Sequence, residues 1–138
     1  MLQVVTAFFG RGGRIGWGAL THLGENARAY AAFRSSLDLA RDAGAERWIN
    51  RNRMLIAFLE GRDGSSAARK HVGECLAYAE RHHHTQDVAK GRLLVGQLLH
   101  SQGDHTGAQR ELQLARQIAT AIGHALLVLE CEQVLTNQ

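Results

Sequence analysis

The sequence contains no proline, only two cysteines and few aromatic residues. Proline is the residue that most firmly interrupts helices, so its absence permits long helices throughout the chain. Cys75 and Cys131 lie far apart and lack the Cys-x-x-Cys spacing of zinc and redox motifs, which favours a pair of reduced, buried thiols. No stretch approaches the roughly 18 consecutive apolar residues of a membrane-spanning helix, and the first apolar residues precede the arginines, the reverse of a secretory signal. These absences predict a cytoplasmic protein.

The composition of the chain is that of one helical domain. Its 138 residues are 45% hydrophobic and 21% charged, with a net charge of only +3. A chain of this length buries a core without help from a metal or a disulfide. Long runs rich in alanine, leucine, arginine, glutamate and glutamine favour helices. Basic residues alternate with acidic ones, whereas a dedicated nucleic-acid binder clusters its basic residues.

One pattern of small and large apolar residues occurs three times, in residues 24–44, 63–83 and 103–123. Each copy has a small residue, a larger residue four positions on, and small residues three and seven positions further on. The copies are offset by 39 and then 40 residues. These spacings place all four residues on one helical face, where small side chains let a neighbouring helix approach closely. The four positions are Ala29, Phe33, Ser36 and Ala40, then Ala68, Val72, Cys75 and Ala79, then Ala108, Leu112, Ala115 and Ala119.

A second apolar stretch at helical spacing precedes each of these segments, and turn residues separate the two. The turns are predicted at 23–26, 61–65 and 102–104, where a glycine is followed closely by asparagine, aspartate or serine. The repeated unit is therefore a helix, a tight turn and a second helix. Residues 124–135 add the first helix of a fourth unit. The apolar positions of the first helices are Trp17 and Leu20, then Leu55, Ile56 and Leu59, then Val95, Gly96 and Leu99.

The third unit resembles a tetratricopeptide repeat (TPR). The family signature matches Val95-Gly96-x-x-Leu99, the turn residue Gly103 and Ala108-x-x-x-Leu112. Units longer than the usual 34 residues are similar to the sensor regions of bacterial LuxR-type and related ATPase regulators. The resemblance implies an all-α, right-handed α-α superhelix of about three and a half hairpins over residues 14–138. Residues 1–13 would be an irregular segment or a leading helix.

The same resemblance implies a non-catalytic protein-interaction module, such as the sensor or scaffold part of a bacterial regulator. In this family the first helices line a concave groove that binds a peptide or a partner domain. Three of the groove positions are cationic here, which favours an acidic peptide. No cofactor or metal is implied. The groove positions are Arg14, Asn50, Arg53, Lys90, Gln97 and His100.

A final unpaired helix exposes Leu126, Leu127 and Val128, which predicts self-association or truncation from a larger protein. The run His82-His83-His84 falls between units and is interpreted as a polar turn. Consecutive helical residues point about 100° apart, so three adjacent histidines do not converge on one metal ion.

Two alternative functions remain open. The first is a small phosphate- or nucleotide-binding enzyme that uses the glycine-rich segment Gly10–Gly18 together with Arg11 and His22. Residues 8–22 resemble the glycine-rich active-site loop of phosphoenolpyruvate carboxylase, although they lack a lysine-containing phosphate-binding motif and the downstream βαβ pattern of a dinucleotide site. The second alternative is a nucleic-acid binder that uses Arg47, Arg51 and Arg53 around Trp48.

Overall fold

A computed structural model of the chain describes residues 21–61 and 66–137, and these residues form α-helices joined by short turns. The described part contains no β-strand, which confirms the all-α prediction. The glycine-rich segment, Arg14 and the first predicted helix lie outside the described residues. The described residues form six helices: α1 (Thr21–Ala43), α2 (Glu46–Glu60), α3 (Ser66–Arg81), α4 (Thr85–Ser101), α5 (His105–Ala121) and α6 (Ala125–Thr136).

Each helix packs against the next one in the sequence, and α2 also contacts α4, which in turn contacts α6. The largest apolar cluster joins α1 through α4 around Phe33, Met54 and Leu94. A second cluster joins α4, α5 and α6 around Leu112 and Leu127. The prediction that α6 exposes Leu126, Leu127 and Val128 is therefore wrong for Leu127, which is buried, and for Val128, which packs partly buried against this cluster, while Leu126 is exposed. The core therefore runs along the whole succession of helices instead of gathering at one centre.

The repeated small residues lie at the contacts between helices, as predicted. Ala29, Ala68 and Ala108 are all buried. A Cβ added to Gly96 on α4 would lie 2.8 Å from Leu112 Cγ and 3.3 Å from the Ala108 carbonyl oxygen. The backbones of α4 and α5 thus approach more closely than a side chain at position 96 would allow.

The same turn follows each odd-numbered helix and also follows α4. A residue with positive φ stands at each turn: Gly44, His83, Gly103 and Gly123. In the turn after α3, the N–H of His84 donates to the Ala79 carbonyl oxygen at 2.9 Å, and matching bonds close the other three turns. His83, with a φ of 57°, is the one non-glycine residue in this conformation among the described residues. The inter-unit turn predicted at 82–84 is confirmed.

The turn predicted at residues 23–26 is wrong, because α1 runs from Thr21 to Ala43 without a break. A glycine in a helix costs about 1 kcal/mol, and the alanines and arginines that follow Gly24 favour the helix strongly enough to offset it. The turns predicted at 61–65 and 102–104 do separate helices, with residues 62–65 outside the described part of the chain.

Candidate functional site: a cationic groove between α1 and α3

A groove of about 470 Å³ lies between α1 and α3, and α2 forms its floor. Helix α2 contributes the buried residues Asn50, Ile56 and Ala57. The acidic, basic and histidine side chains around the groove come from all three helices. They are Arg34 and Arg41 from α1, Arg53 and Glu60 from α2, and His71, Glu74 and Arg81 from α3.

The charge of the groove is positive and largely unpaired. Four arginines face two glutamates, which gives a net charge of +2 with the histidine neutral. Among the described residues, Arg34, Arg53 and Arg81 have no carboxylate within 4 Å, and Arg41 lies at that limit, 4.0 Å from Asp38. Guanidinium groups without a protein partner are suited to binding carboxylates or other planar anions.

The two ends of the groove floor are held by hydrogen bonds. The Asn50 side-chain amide donates to the Cys75 carbonyl oxygen at 2.9 Å and ties α2 to α3. On the α1 side, the Tyr30 hydroxyl donates to Glu60 at 3.0 Å. This bond, with a smaller contribution from burial, raises the pKa of Tyr30. Glu60 is thereby occupied by a neutral donor and does not pair with the arginines.

Cys75 lines the groove as a protonated thiol. Burial raises the pKa of Cys75, Arg53 opposes this shift and Glu74 adds to it. A thiol is a nucleophile only as the thiolate, so the groove presents packing and hydrogen-bonding groups together with fixed positive charge. This set of groups is suited to binding.

The corresponding groove between α3 and α5, over α4, is bridged by the protein's own side chains. We call it the closed groove, and we call the groove between α1 and α3 the open groove. Arg92 on α4 donates from Nη2 to Glu80 at 3.1 Å and from Nη1 to Glu111 at 2.8 Å. Glu80 lies on α3 and Glu111 on α5, so one guanidinium joins three helices. Ile118 on α5 packs against the apolar cluster formed by Leu76, Ala79 and Val88 of α3 and α4.

A separate set of buried charges connects the even-numbered helices. Asp87 on α4 is fully buried, accepts from Arg47 Nε at 3.4 Å and lies 3.9 Å from Arg51 Nε. Lys90, also on α4, donates to Glu130 on α6 at 2.7 Å. Burial lowers the pKa of Arg51 and of Lys90, while Asp87 and Glu130 respectively oppose that shift. These pairs link α2 to α4 and α4 to α6 inside the protein.

Of the six groove residues predicted from the sequence, the structure brings Asn50 and Arg53 together in the groove between α1 and α3. Lys90 lies inside the protein with Glu130. Gln97 on α4 is half-buried, and its side-chain oxygen has no hydrogen-bond partner within the described part. Arg14 lies outside the described residues.

His100, the last of the six, is at the end of α4 and does not line the groove that contains Arg53. Its Nδ1 lies 2.9 Å from Nδ1 of His105 at the start of α5. These two histidines line a second cavity of about 320 Å³ with Thr106 and Gln109. In the described part of the chain no three histidine, cysteine, aspartate or glutamate residues are placed to hold a metal ion.

The three arginines of the nucleic-acid alternative do not share one surface. Arg47 and Arg51 are directed to Asp87 and lie over the Trp48 ring, whereas Arg53 faces the groove. Trp48 itself is half-exposed.

Sequence reasoning missed the groove residues on the second helices of the units, because the family resemblance directed attention to the first helices. The signal was nevertheless present. When the units are aligned, Arg41 and His71 occupy the positions held by Glu80 and Glu111 one unit later.

Comparison with known proteins gives no significant match. No family model fits the chain, and no curated protein or solved structure is similar to it at significance. None of the described helices has the length and hydropathy needed to cross a bilayer.

Proposed function

We propose that this chain is a non-catalytic protein-interaction module that binds an acidic peptide segment of a partner in the groove between α1 and α3. The observation that carries the proposal is the convergence of Arg34, Arg53 and Arg81, all without ion-pair partners among the described residues, on one groove. Arginine is charged at physiological pH, and here its charge is not neutralised by a carboxylate of the described residues. Such a groove therefore attracts carboxylates over a distance and binds them by paired hydrogen bonds.

A TPR-like superhelix is the architecture we infer for this module. Three features support it: the sequential packing of the helices, the contacts of α2 with α4 and of α4 with α6, and the close approach of Gly96 to α5. In a stack of helical pairs each unit contacts its neighbours and leaves grooves between them for ligands. The role of sensor or scaffold in a bacterial regulator rests on the sequence resemblance.

The size of the groove also favours a peptide segment. A volume of about 470 Å³ accommodates a few side chains. Whole-domain docking would use a wider surface, and α6 carries the exposed Leu126 and Leu129 that favour self-association. The groove and the α6 surface are separate, since the groove residues belong to α1, α2 and α3.

The proposal is tested by fluorescence anisotropy with a labelled glutamate-rich peptide and, in parallel, a lysine-rich peptide of the same length. We expect binding of the acidic peptide alone, weakened at least about tenfold in the variant Arg34→Glu/Arg81→Glu, because two attractive charges become repulsive. The control is Arg110→Glu, which reverses an exposed arginine on α5 outside the groove. Equal loss in both variants, or binding that neither variant changes, would contradict the proposal. Preferential binding of an oligonucleotide would instead favour the nucleic-acid alternative.

A further inference from the structure

The closed groove contains the pair of carboxylates that the open groove lacks. We infer that the groove between α1 and α3 recognises two neighbouring carboxylate side chains of one peptide, which bind Arg53 from both sides as Glu80 and Glu111 bind Arg92. This inference rests on the proposed function and specifies its ligand.

The two arginines are equivalent by position. Arg53 and Arg92 each lie eight residues after the N-cap residue of their helix, at 45 and 84 respectively. Each projects from the first helix of a unit into the gap between the second helices on either side. Their surroundings therefore differ through the neighbouring helices.

The neighbouring residues are equivalent as well, and they differ in charge. Arg41 and Glu80 each precede the positive-φ turn residue of their helix, Gly44 or His83, by three positions. His71 precedes His83 by twelve positions, as Glu111 precedes Gly123. The two carboxylates of the closed groove are thus replaced by an arginine and a histidine in the open one.

This replacement leaves Arg53 without an ion pair. Arg41 adds a second permanent positive charge, and His71 carries no negative charge in either protonation state. Glu60 and Glu74 also line the groove, but neither lies within 4 Å of the Arg53 guanidinium. A ligand that carries carboxylates would supply the missing partners. Arg92 indicates how many carboxylates such an arginine binds, because its Nη1 and Nη2 donate to two separate carboxylates at 2.8 Å and 3.1 Å. Two acidic side chains of one segment match this arrangement better than a single carboxylate.

The test compares two labelled peptides of equal length that carry the same flanking acidic residues. One has two central glutamates and the other has a glutamate and a glutamine. We expect the first to bind the unaltered protein about tenfold more tightly, the gain typical of one additional charge-assisted hydrogen bond. In Arg53→Gln this preference should disappear, whereas in the matched control Arg92→Gln it should persist.

A second variant transfers the closed arrangement to the open groove. Arg41→Glu/His71→Glu gives Arg53 two carboxylates within the protein, so we expect the preference for the diglutamate peptide to vanish and the melting temperature not to fall. The neutral variant Arg41→Gln/His71→Gln controls for lost charge and should retain the preference, since Arg53 is still unpaired. Alkylation of Cys75 at alkaline pH, with buried Cys131 as internal reference, reports whether each peptide occupies the groove.

The outcomes separate the inference from the proposed function. Groove binding that is lost in Arg34→Glu/Arg81→Glu but is equal for the two peptides would overturn the inference and leave the function standing. A preference that survives in Arg53→Gln would do the same. Absence of binding by either peptide, with no protection of Cys75, would overturn both.

Discussion

The groove between α1 and α3 and the groove between α3 and α5 are built on the same plan, with a helix as floor and an arginine rising between two flanking helices. In the second groove Glu80 and Glu111 bind Arg92, and these partly exposed ion pairs bridge the gap between α3 and α5. In the first groove Arg53 has no such partners among the described residues, and the gap remains a surface. The two gaps thus differ at two flanking positions, which carry carboxylates in one gap and an arginine and a histidine in the other.

Apolar residues complete the closure of the second groove. Ile118 on α5 occupies the position of Tyr78 on α3, five residues before the positive-φ turn residue in each case. Ala89 on α4 is in the position of Asn50 on α2, five residues after the N-cap. The open groove thus has polar groups where the closed one has side chains that pack.

We expect the largest effect on stability from the buried ion pair of Lys90 and Glu130. Lys90 and Arg53 were both predicted from the sequence to line one groove, and only Lys90 is buried. We expect Lys90→Met to reduce the free energy of unfolding by about 3–5 kcal/mol, because Glu130 would be left buried and unpaired. Urea denaturation measures this. The double variant Lys90→Met/Glu130→Leu should recover most of the loss. A cost for Lys90→Met no greater than for Arg53→Met would show that Lys90 is not held inside.

The close contact of α4 with α5 gives the next largest effect. Gly96→Ala should reduce stability by about 1–3 kcal/mol, because the new Cβ would lie 2.8 Å from Leu112 Cγ. The matched control is Gly73→Ala on α3, where an added Cβ has nothing within 4 Å. That variant should gain about 0.5–1 kcal/mol from helix propensity. If both substitutions stabilise the protein, the two helices are not in close contact at position 96.

The two equivalent arginines provide the most direct test of the comparison by stability. We expect Arg92→Met to cost about 1 kcal/mol, since its ion pairs are partly exposed and Glu80 and Glu111 would lose their common partner. Arg53→Met should change stability by less than about 0.5 kcal/mol. Thermal and urea unfolding of the two variants would decide this, and equal costs would remove the distinction between the grooves.

The smallest effect is expected at the turn between α3 and α4. His83→Gly should raise stability by up to about 1 kcal/mol, because a non-glycine residue at a φ of 57° carries a steric cost. Gly123→Ala at the equivalent turn should lower stability by a similar amount. A decrease in stability for His83→Gly would indicate that the His83 side chain makes a compensating contact.

Helical periodicity allowed the second helices and their buried faces to be predicted, because the small-large-small pattern around Val72 and Leu112 depends only on local spacing. The pairing of Lys90 with Glu130 was not predictable in this way. A charged residue on a helix is expected to be solvent-exposed, and its partner lies 40 residues away in the sequence. The groove was missed for a related reason. Whether Arg53 has an ion-pair partner depends on residues of the flanking helices α1 and α3. Only a comparison of Arg53 with the equivalent Arg92 shows that these residues differ.

The central claim is that an acidic peptide binds the open groove between α1 and α3. Its most direct test is a titration of ¹⁵N-labelled protein with the diglutamate peptide, followed by backbone amide shifts. We expect the largest shifts in α1, α2 and α3 around Arg34, Asn50, Arg53 and Cys75, with α5 and α6 little changed. Shifts centred on Leu126 and Leu129 of α6, or no shifts at saturating peptide, would contradict it.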